Sequence, residues 1–306
     1  MNVELVVDRL YGIIDSFRKN PFSEQFDSSE IRERLRYFVE HNAAIHFVFP
    51  GFHGKINNPD FVVGECADMG DYVGLMNLRS LIDRIGAVYA PGARLNIVHE
   101  CHFYVGRSPL IGTEEQANRY LASFRELIAL DRNITSHSIY ELLPMDRPLP
   151  ELLGVFQSRY APSTEEVVSR LQEQSHLDLY KAYKKINTLY LERDPAFRGL
   201  PKKDRQQRTK ALALGQMQVY FGFGKLIREF FGEMVYIRLS SLYKPPQFAD
   251  CVAINYLPNT HHMSTPTFHC AVRYKDGTWD FIRKHVAEQR RYVLSEERGL
   301  KYFREE

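Results

Sequence analysis

The sequence predicts an α/β protein: a mostly parallel sheet with covering helices and a helical middle segment. Three observations carry that prediction. Short apolar runs at residues 43–49 and 94–98 have the length of buried strands, and a helix-periodic segment separates them. The middle third of the chain keeps helical periodicity with abundant charge, and strand-like runs return after it. At 306 residues the chain can bury a large core without disulfide staples, and we read it as one domain over 1–306, with 1–40 a helical cover and 41–290 the α/β body.

Taken in order, residues 2 to 18 place Val3, Val6, Val7, Leu10, Ile13 and Ile14 at helical spacing, and Ser28-Ser29-Glu30 opens a second helix through Val39. Ala43 to Phe49 reads as a buried strand stopped by Pro50-Gly51, followed by a loop rich in Gly, Asn and Pro. Asp68 caps a helix carrying Leu75, Leu78, Leu81, Ile82 and Ile85, and Ala90-Pro91-Gly92 turns into the strand Arg94 to Val98. Strand, helix and strand make a βαβ unit, whose ligands gather beyond the carboxyl ends of the strands, at the segments starting from Pro50 and His99.

Thr113-Glu114-Glu115-Gln116 fits a capping box for a helix to about Leu130. Helical periodicity resumes from Ser163 through Tyr190, and the basic stretch Arg198 to Arg208 reads as a solvated linker. A further helix holds Leu212, Met217, Val219, Phe223, Leu226 and Ile227 and ends near Gly232. Strands are expected at Met234–Leu239, Phe268–Tyr274 and Thr278–Ile282, the last two joined by a two-residue turn at Asp276-Gly277.

Composition excludes several function classes. The 44% apolar and 25% charged fractions do not fit collagen-like, coiled-coil or wholly disordered chains. Forty Lys and Arg against 38 Asp and Glu give +2, so no broad field draws the protein to nucleic acid or anionic lipid, although a local basic cleft for a small phosphate stays open. Neither a nucleic-acid nor a membrane partner is expected. Cys66, Cys101, Cys251 and Cys270 are dispersed, which fits reduced thiols in cytoplasm, and Glu4 and Asp8 interrupt the first turns where a leader would be apolar. The 18 Tyr and 20 Phe beside a single Trp fit either an aromatic pocket or core contacts.

Chemistry-bearing residues cluster where the βαβ unit points. Phe52-His53-Gly54-Lys55-Ile56-Asn57-Asn58 places a Lys and a His in a flexible loop after a strand, either a phosphate grip or an ordinary surface loop, without P-loop spacing. His99-Glu100-Cys101-His102 is the densest set of ligand-type side chains, and with His261-His262 it suggests a metal. Strand alternation nevertheless sends His99 and His102 to opposite faces, so no metal is assigned. Glu100 at the strand end reads as a general base, an ammonium anchor or a hydrogen-bonded carboxylate. Arg238, inside an apolar strand, must meet either a structural carboxylate or a ligand anion, and His269 is either a core histidine or a proton shuttle. No Gly-x-Ser-x-Gly elbow and no dinucleotide fingerprint is present.

Several stretches, in order, resemble the pyoverdine/dityrosine biosynthesis family, whose bacterial members include isonitrile synthases. Pro50 to Asn58 is similar to its PGFPxKSPN loop, Ala67-Asp68-Met69-Gly70-Asp71 to its PDMGE, and Tyr89-Ala90-Pro91-Gly92-Ala93 to its YxPGA turn. Ile237-Arg238-Leu239-Ser240 resembles its IRLS strand and Pro266-Thr267-Phe268-His269 its TPWH segment. His53 stands for a proline, Ile56 for a serine, Ala67 for a proline, Leu242 for a histidine, and His99-Glu100-Cys101 for Ser-Asp-Gly. The resemblance implies a Rossmann-like sheet and conversion of the α-amine of a Tyr- or Trp-type amino acid to an isonitrile. Ribulose 5-phosphate is implied as carbon-donating co-substrate, with no metal or nicotinamide cofactor, and an iron/2-oxoglutarate oxygenase as downstream partner. On this reading Lys55 and Arg238 hold phosphate or carboxylate, Phe52 and Asn58 line the substrate, Asp68 and Glu100 anchor the ammonium or act as bases, and His269 shuttles protons. The alternatives are formation of an N-acylated amino acid, or a non-catalytic binding protein on the same fold.

Overall fold

Two helices, α1 (Val3–Ser16) and α2 (Ser29–Glu40), lead into β1 (Ile45–Pro50), α3 (Met69–Gly86) and β2 (Ala93–Val98). A 3-10 turn at Cys101–Tyr104, α4 (Glu114–Ile128) and β3 (Ile134–His137) follow. The helical middle comprises α5 (Ile139–Leu142), α6 (Leu149–Arg159), α7 (Thr164–Arg170), α8 (Gln174–Leu191), α9 (Pro195–Arg198) and α10 (Lys202–Phe231). The chain closes with β4 (Ile237–Ser240), β5 (Cys251–Ala253), β6 (Cys270–Arg273), β7 (Trp279–Ile282), α11 (Lys284–Gln289), β8 (Val293–Glu297) and β9 (Leu300–Arg304). The computed structural model describes residues 2–18, 28–106, 112–143, 145–192, 195–232, 234–240, 251–257 and 265–306; Leu242, His261 and His262 lie outside them.

β1 to β5 form an all-parallel sheet in the order β3-β2-β1-β4-β5, the expected Rossmann-like arrangement. The chain builds outward from β1 through β2 and β3, then restarts on the other side of β1 with β4. The strand order thus reverses between β1 and β4, the kind of switch point beside which ligands of open parallel sheets gather at the carboxyl edge. Burial on both faces explains why β1 is apolar along nearly its whole length. Its side chains alternate: Phe47 and Phe49 join the core under α1, α2 and α3, whereas Val48 joins a second core with Phe156 of α6 and Phe223 of α10. The same alternation in β4 sends Ile237 and Leu239 to the α3 side and leaves Arg238, register partner of Val48, on the α10 side. A smaller mixed sheet, β7-β6-β9-β8, packs against α3.

Three expectations change. Arg198 to Arg208 is no linker: it holds the end of α9 and the opening turns of the 30-residue α10. Its Lys, Arg and Gln are good helix formers, and apolar anchoring begins only at Ala213, Leu214 and Met217, so charge density masked the helix. The Asp276-Gly277 hairpin forms, but Gly277 alone has positive φ (85°); its N–H bonds the Tyr274 carbonyl while Tyr274 and Thr278 pair, which makes a three-residue turn. β8 and β9 extend the second sheet to Arg304, past residue 290, through an Arg298-Gly299 turn with φ of 55° and 78°. Among the described residues no helix is long and apolar enough to cross a membrane.

Helix packing generates a paired prediction. A Cβ on Gly222 of α10 would lie 2.8 Å from the Phe156 ring and 3.0 Å from the Ala161 backbone, while Gly12 of α1 has nothing within 4 Å. Gly222→Ala should therefore destabilise by about 1 to 3 kcal/mol through overpacking. Gly12→Ala should stabilise by about 0.5 to 1 kcal/mol through helix propensity. Denaturant midpoints moving in the same direction for both would contradict the packing account.

Candidate active site

The loop after β1 is shaped by two left-handed residues, Phe52 (φ 54°) and Gly54 (φ 93°). For a phenylalanine this conformation is strained and persists only where the surroundings hold it. Its N–H donates to the Tyr256 hydroxyl (3.2 Å) and its carbonyl accepts from His99 Nδ1 (2.8 Å). The Phe52 ring is consequently driven into the core against Phe124 and Tyr256. It is 0% exposed, so Phe52 is the platform of the loop and not a substrate-lining surface as expected. Asn58 is likewise buried, its side-chain oxygen accepting from the Asp60 N–H (3.1 Å) to hold the turn.

Lys55 departs furthest from expectation. Its ammonium lies 2.8 Å from Asp68 Oδ1, 2.7 Å from Asp71 Oδ2 and 2.9 Å from the Pro266 carbonyl. Three donors meet three protein acceptors, so a substrate phosphate finds no free proton on Lys55. Burial opposes the charge, but the two carboxylates outweigh it and hold the lysine above its ordinary pKa. Asp68 is the N-cap of α3, accepting from the Gly70 N–H (2.8 Å), and Asp71 reaches back to the Asp68 N–H (2.9 Å). Tyr120 donates to the other Asp71 oxygen (2.8 Å). Asp68 Oδ2 is buried with no hydrogen-bond partner among the described residues. Burial pushes the Asp68 carboxyl up to about 6, against the pull of Lys55 and with the charge of Asp71 adding to the rise. Sequence reading missed Asp71, although its place three residues after the N-cap is the capping-box signal.

Glu100, two residues past β2 and just before the 3-10 turn, has its side chain 14% exposed. Oε2 accepts from the Tyr104 hydroxyl (3.1 Å) and lies 3.5 Å from His53 Nδ1. His99 and His102 do diverge: His99 bonds Phe52 and Ser136, and His102 bonds Asn118 (2.9 Å). Burial drives the His99 pKa down to about 3. Among the described residues no three His, Cys, Asp or Glu side chains converge as a metal site.

Arg238 has no ion pair or hydrogen bond among the described residues, and its Nε is buried without a partner. The guanidinium passes α10 at Gly224, where a Cβ would sit 3.7 and 3.9 Å from its two terminal nitrogens. His269 sets Nδ1 3.1 Å from the Thr265 carbonyl, and burial lowers its pKa to about 4, with the charges of Arg283 and Lys55 in the same direction. Lys55, Asp68 and Asp71 thus gather at the start of α3, with His269 on the segment that supplies the Pro266 carbonyl. Arg238 lies on the α10 side of the sheet, and Glu100 pairs with His53; the loop residues His53 and Lys55, two apart, bridge the two sets. Grooves of about 390 Å³ beside Ala90–Arg94 and about 650 Å³ between α3 and Trp279 include none of these residues.

The sequence model described as pyoverdine/dityrosine biosynthesis protein matches residues 35–295. The chain belongs to the pyoverdine/dityrosine biosynthesis family. Within it, an L-tyrosine isonitrile synthase of Xenorhabdus nematophila is 29% identical over 249 residues, 76% of this chain and 71% of that protein. An L-tryptophan isonitrile synthase of Fischerella ambigua is 30% identical over 146 residues, 47% of this chain and 43% of that protein, so that match spans less than half of the relative. The crystal structure of the PvcA protein from Pseudomonas aeruginosa shares the fold, with a TM-score of 0.85 at 22% identity over 98% of this chain and 99% of that one.

Two stability predictions arise from the site. Lys55→Met should cost about 3 to 5 kcal/mol at pH 8, because it strands two buried carboxylates. Without the ammonium, folding raises the carboxyl pKa further, so the folded state keeps a proton the unfolded chain has lost and the deficit should shrink toward pH 5. Denaturant midpoints at the two pH values check this. For His99, the pKa falls from 6.5 to about 3 on folding. Its contribution is complete above the upper value and lost as pH falls toward the lower, at up to about 1.4 kcal/mol per pH unit. His99→Gln, which cannot titrate, should flatten the acid side of a stability-versus-pH curve.

Proposed function

We propose that this protein is an isonitrile synthase-like enzyme acting on the α-amine of a Tyr- or Trp-type amino acid, with ribulose 5-phosphate as co-substrate. The observation that carries this reading is Arg238: a guanidinium on a central strand, next to the switch in strand order, with no protein acceptor among the described residues. A partly buried cation so placed suits an anionic substrate group, phosphate or carboxylate, bound in bidentate fashion. The names of the matched synthases support the reaction class.

Condensing the amine with the sugar ketone, removing a carbon-bound proton and expelling phosphate requires a base, a proton shuttle and a fixed cation. Glu100 is assigned to the amine as base. His269, neutral at pH 7 because its pKa is about 4, takes up or passes on protons. Asp68, with one unpartnered oxygen and a pKa near 6, either anchors the ammonium or donates a proton. Lys55 holds Asp68 and is not assigned to the phosphate. An iron/2-oxoglutarate oxygenase consuming the product belongs to the same proposal.

Incubating the purified protein with tyrosine or tryptophan and ribulose 5-phosphate, then measuring product mass, tests the reading. An isonitrile supports it; an N-acylated amino acid or unchanged substrates would replace it with the corresponding alternative. Arg238→Lys should leave the denaturation midpoint in place and lower kcat/KM roughly ten- to a hundredfold, the effect of losing a charge-assisted hydrogen bond worth about 1.5 to 3 kcal/mol. A variant that loses stability while its folded fraction turns over normally would show that Arg238 serves the fold alone.

A further inference from the structure

The side of α10 that meets Arg238 carries a glycine where alanine would serve the helix better. Gly224 lies in the interior of the 30-residue helix, a position at which glycine is disfavoured. No clash explains it: a Cβ there would meet nothing closer than Arg238 Nη1 at 3.7 Å, Arg238 Nη2 at 3.9 Å and Arg228 Nη1 at 3.9 Å, all ordinary contact distances. The three nearest atoms are guanidinium nitrogens. Arg228 reaches this point because it stands four residues on, one turn along the same face, and helical side chains lean back toward the N-terminus. Gly224 and the Arg238 Nε are buried while Arg228 is exposed, so one guanidinium comes from the core and the other from the solvent side. No carboxylate separates them. Among the described residues Arg228, like Arg238, has no ion pair, side-chain hydrogen bond or ring contact, and Glu229 beside it is paired with Arg159. Two converging cations repel one another unless an anion lies between them.

We propose that Arg228 and Arg238 form a two-arginine clamp for a phosphate group, with the space at Gly224 left for its oxygens. This rests on the reading of Arg238 as the residue that holds a substrate anion, and it narrows that reading from phosphate or carboxylate to phosphate. A carboxylate carries one negative charge and is filled by one planar fork, whereas a phosphate monoester carries nearly two and offers three oxygens in different directions. Two forks from two elements, β4 and α10, suit a tetrahedral group approached from separate sides. The phosphate of the sugar is accordingly assigned to this point, and the carboxylate of the amino acid is not. Lys225, next in sequence to Gly224, is exposed and lies about 100° round the helix, so it belongs to a different face.

Calorimetric titration of the whole protein with ribulose 5-phosphate, unphosphorylated ribulose and tyrosine tests the clamp. Arg228→Met should weaken ribulose 5-phosphate about five- to tenfold, the lower part of what one charge-assisted hydrogen bond supplies because Arg228 faces solvent, and leave ribulose and tyrosine unaffected. Arg228→Lys, which keeps the charge and loses the fork, should recover only part of the affinity. Gly224→Ala should also weaken the sugar phosphate while its denaturation midpoint holds or rises, since the methyl group fits the fold and takes the space of the anion. Lys225→Met should change none of these affinities. Unchanged ribulose 5-phosphate binding in Arg228→Met would overturn the clamp. Equal weakening of tyrosine would make the point a carboxylate site, and equal weakening by Lys225→Met would reduce it to a diffuse field; either result overturns the proposal. Because the readout is binding, a parent that holds ribulose 5-phosphate through Arg228 yet forms no isonitrile would keep the clamp and lose the proposed reaction. Isonitrile formation by a parent whose Arg228→Met variant binds normally would do the reverse.

Discussion

Lys55 buries its ammonium between Asp68 and Asp71, and a buried charge persists only where each of its protons finds an acceptor. That requirement joins three segments far apart in sequence: the loop after β1, the first turn of α3, and the strand approach at Pro266. Each segment needs the other two. Without α3 the lysine has no counter-charge; without the lysine, two carboxylates sit together at one helix terminus. The helix N-terminus itself favours negative charge, but that assistance is far smaller than the cost of leaving two carboxylates unpaired. The position of the loop, and with it the directions of Phe52 and His53, follows from where Lys55 must end.

Given that anchor, the strained backbone at Phe52 and Gly54 acquires a purpose. A chain leaving β1 in an ordinary extended path could not put Phe52 inward, His53 toward Glu100 and Lys55 toward α3 within four residues. The left-handed turns reverse direction twice, and the hydrogen bonds from His99 and to Tyr256 hold the first reversal in place. His99 meets this need as a neutral ring, Nδ1 donating to the Phe52 carbonyl and Nε2 paired with Ser136 Oγ. Burial secures that state by depressing its pKa.

How much of this was legible depended on the range of the interaction. The apolar runs of β1 and β2, the Asp68 N-cap and the Thr113 capping box are local patterns, and each appears in the structure. The strand alternation that turns Arg238 toward α10 is also local, which is why its oddity among apolar neighbours could be seen in the sequence. The saturation of Lys55 depends on Pro266, 211 residues away, so a glycine-rich loop looked open when it is closed. The opening turns of α10 were hidden by the opposite error, in which charge was taken for solvent when it was also helix propensity.

Asp68 and Glu100 sit in carboxyl environments of different kinds. Asp68 sits in a buried cluster with a second carboxylate and a cation, where burial raises its pKa to about 6 and one oxygen is left without a partner. Glu100 is partly exposed and accepts a hydrogen bond from the Tyr104 phenol. Carboxyl groups in unlike surroundings are the usual way for protein groups to divide acid and base roles. The proposed reaction needs that division, because freeing an amine consumes a base while expelling phosphate is eased by a proton donor. In that proposal Arg238 would add the charge that neither carboxyl can supply, from a central strand whose backbone is fixed on both sides by parallel neighbours.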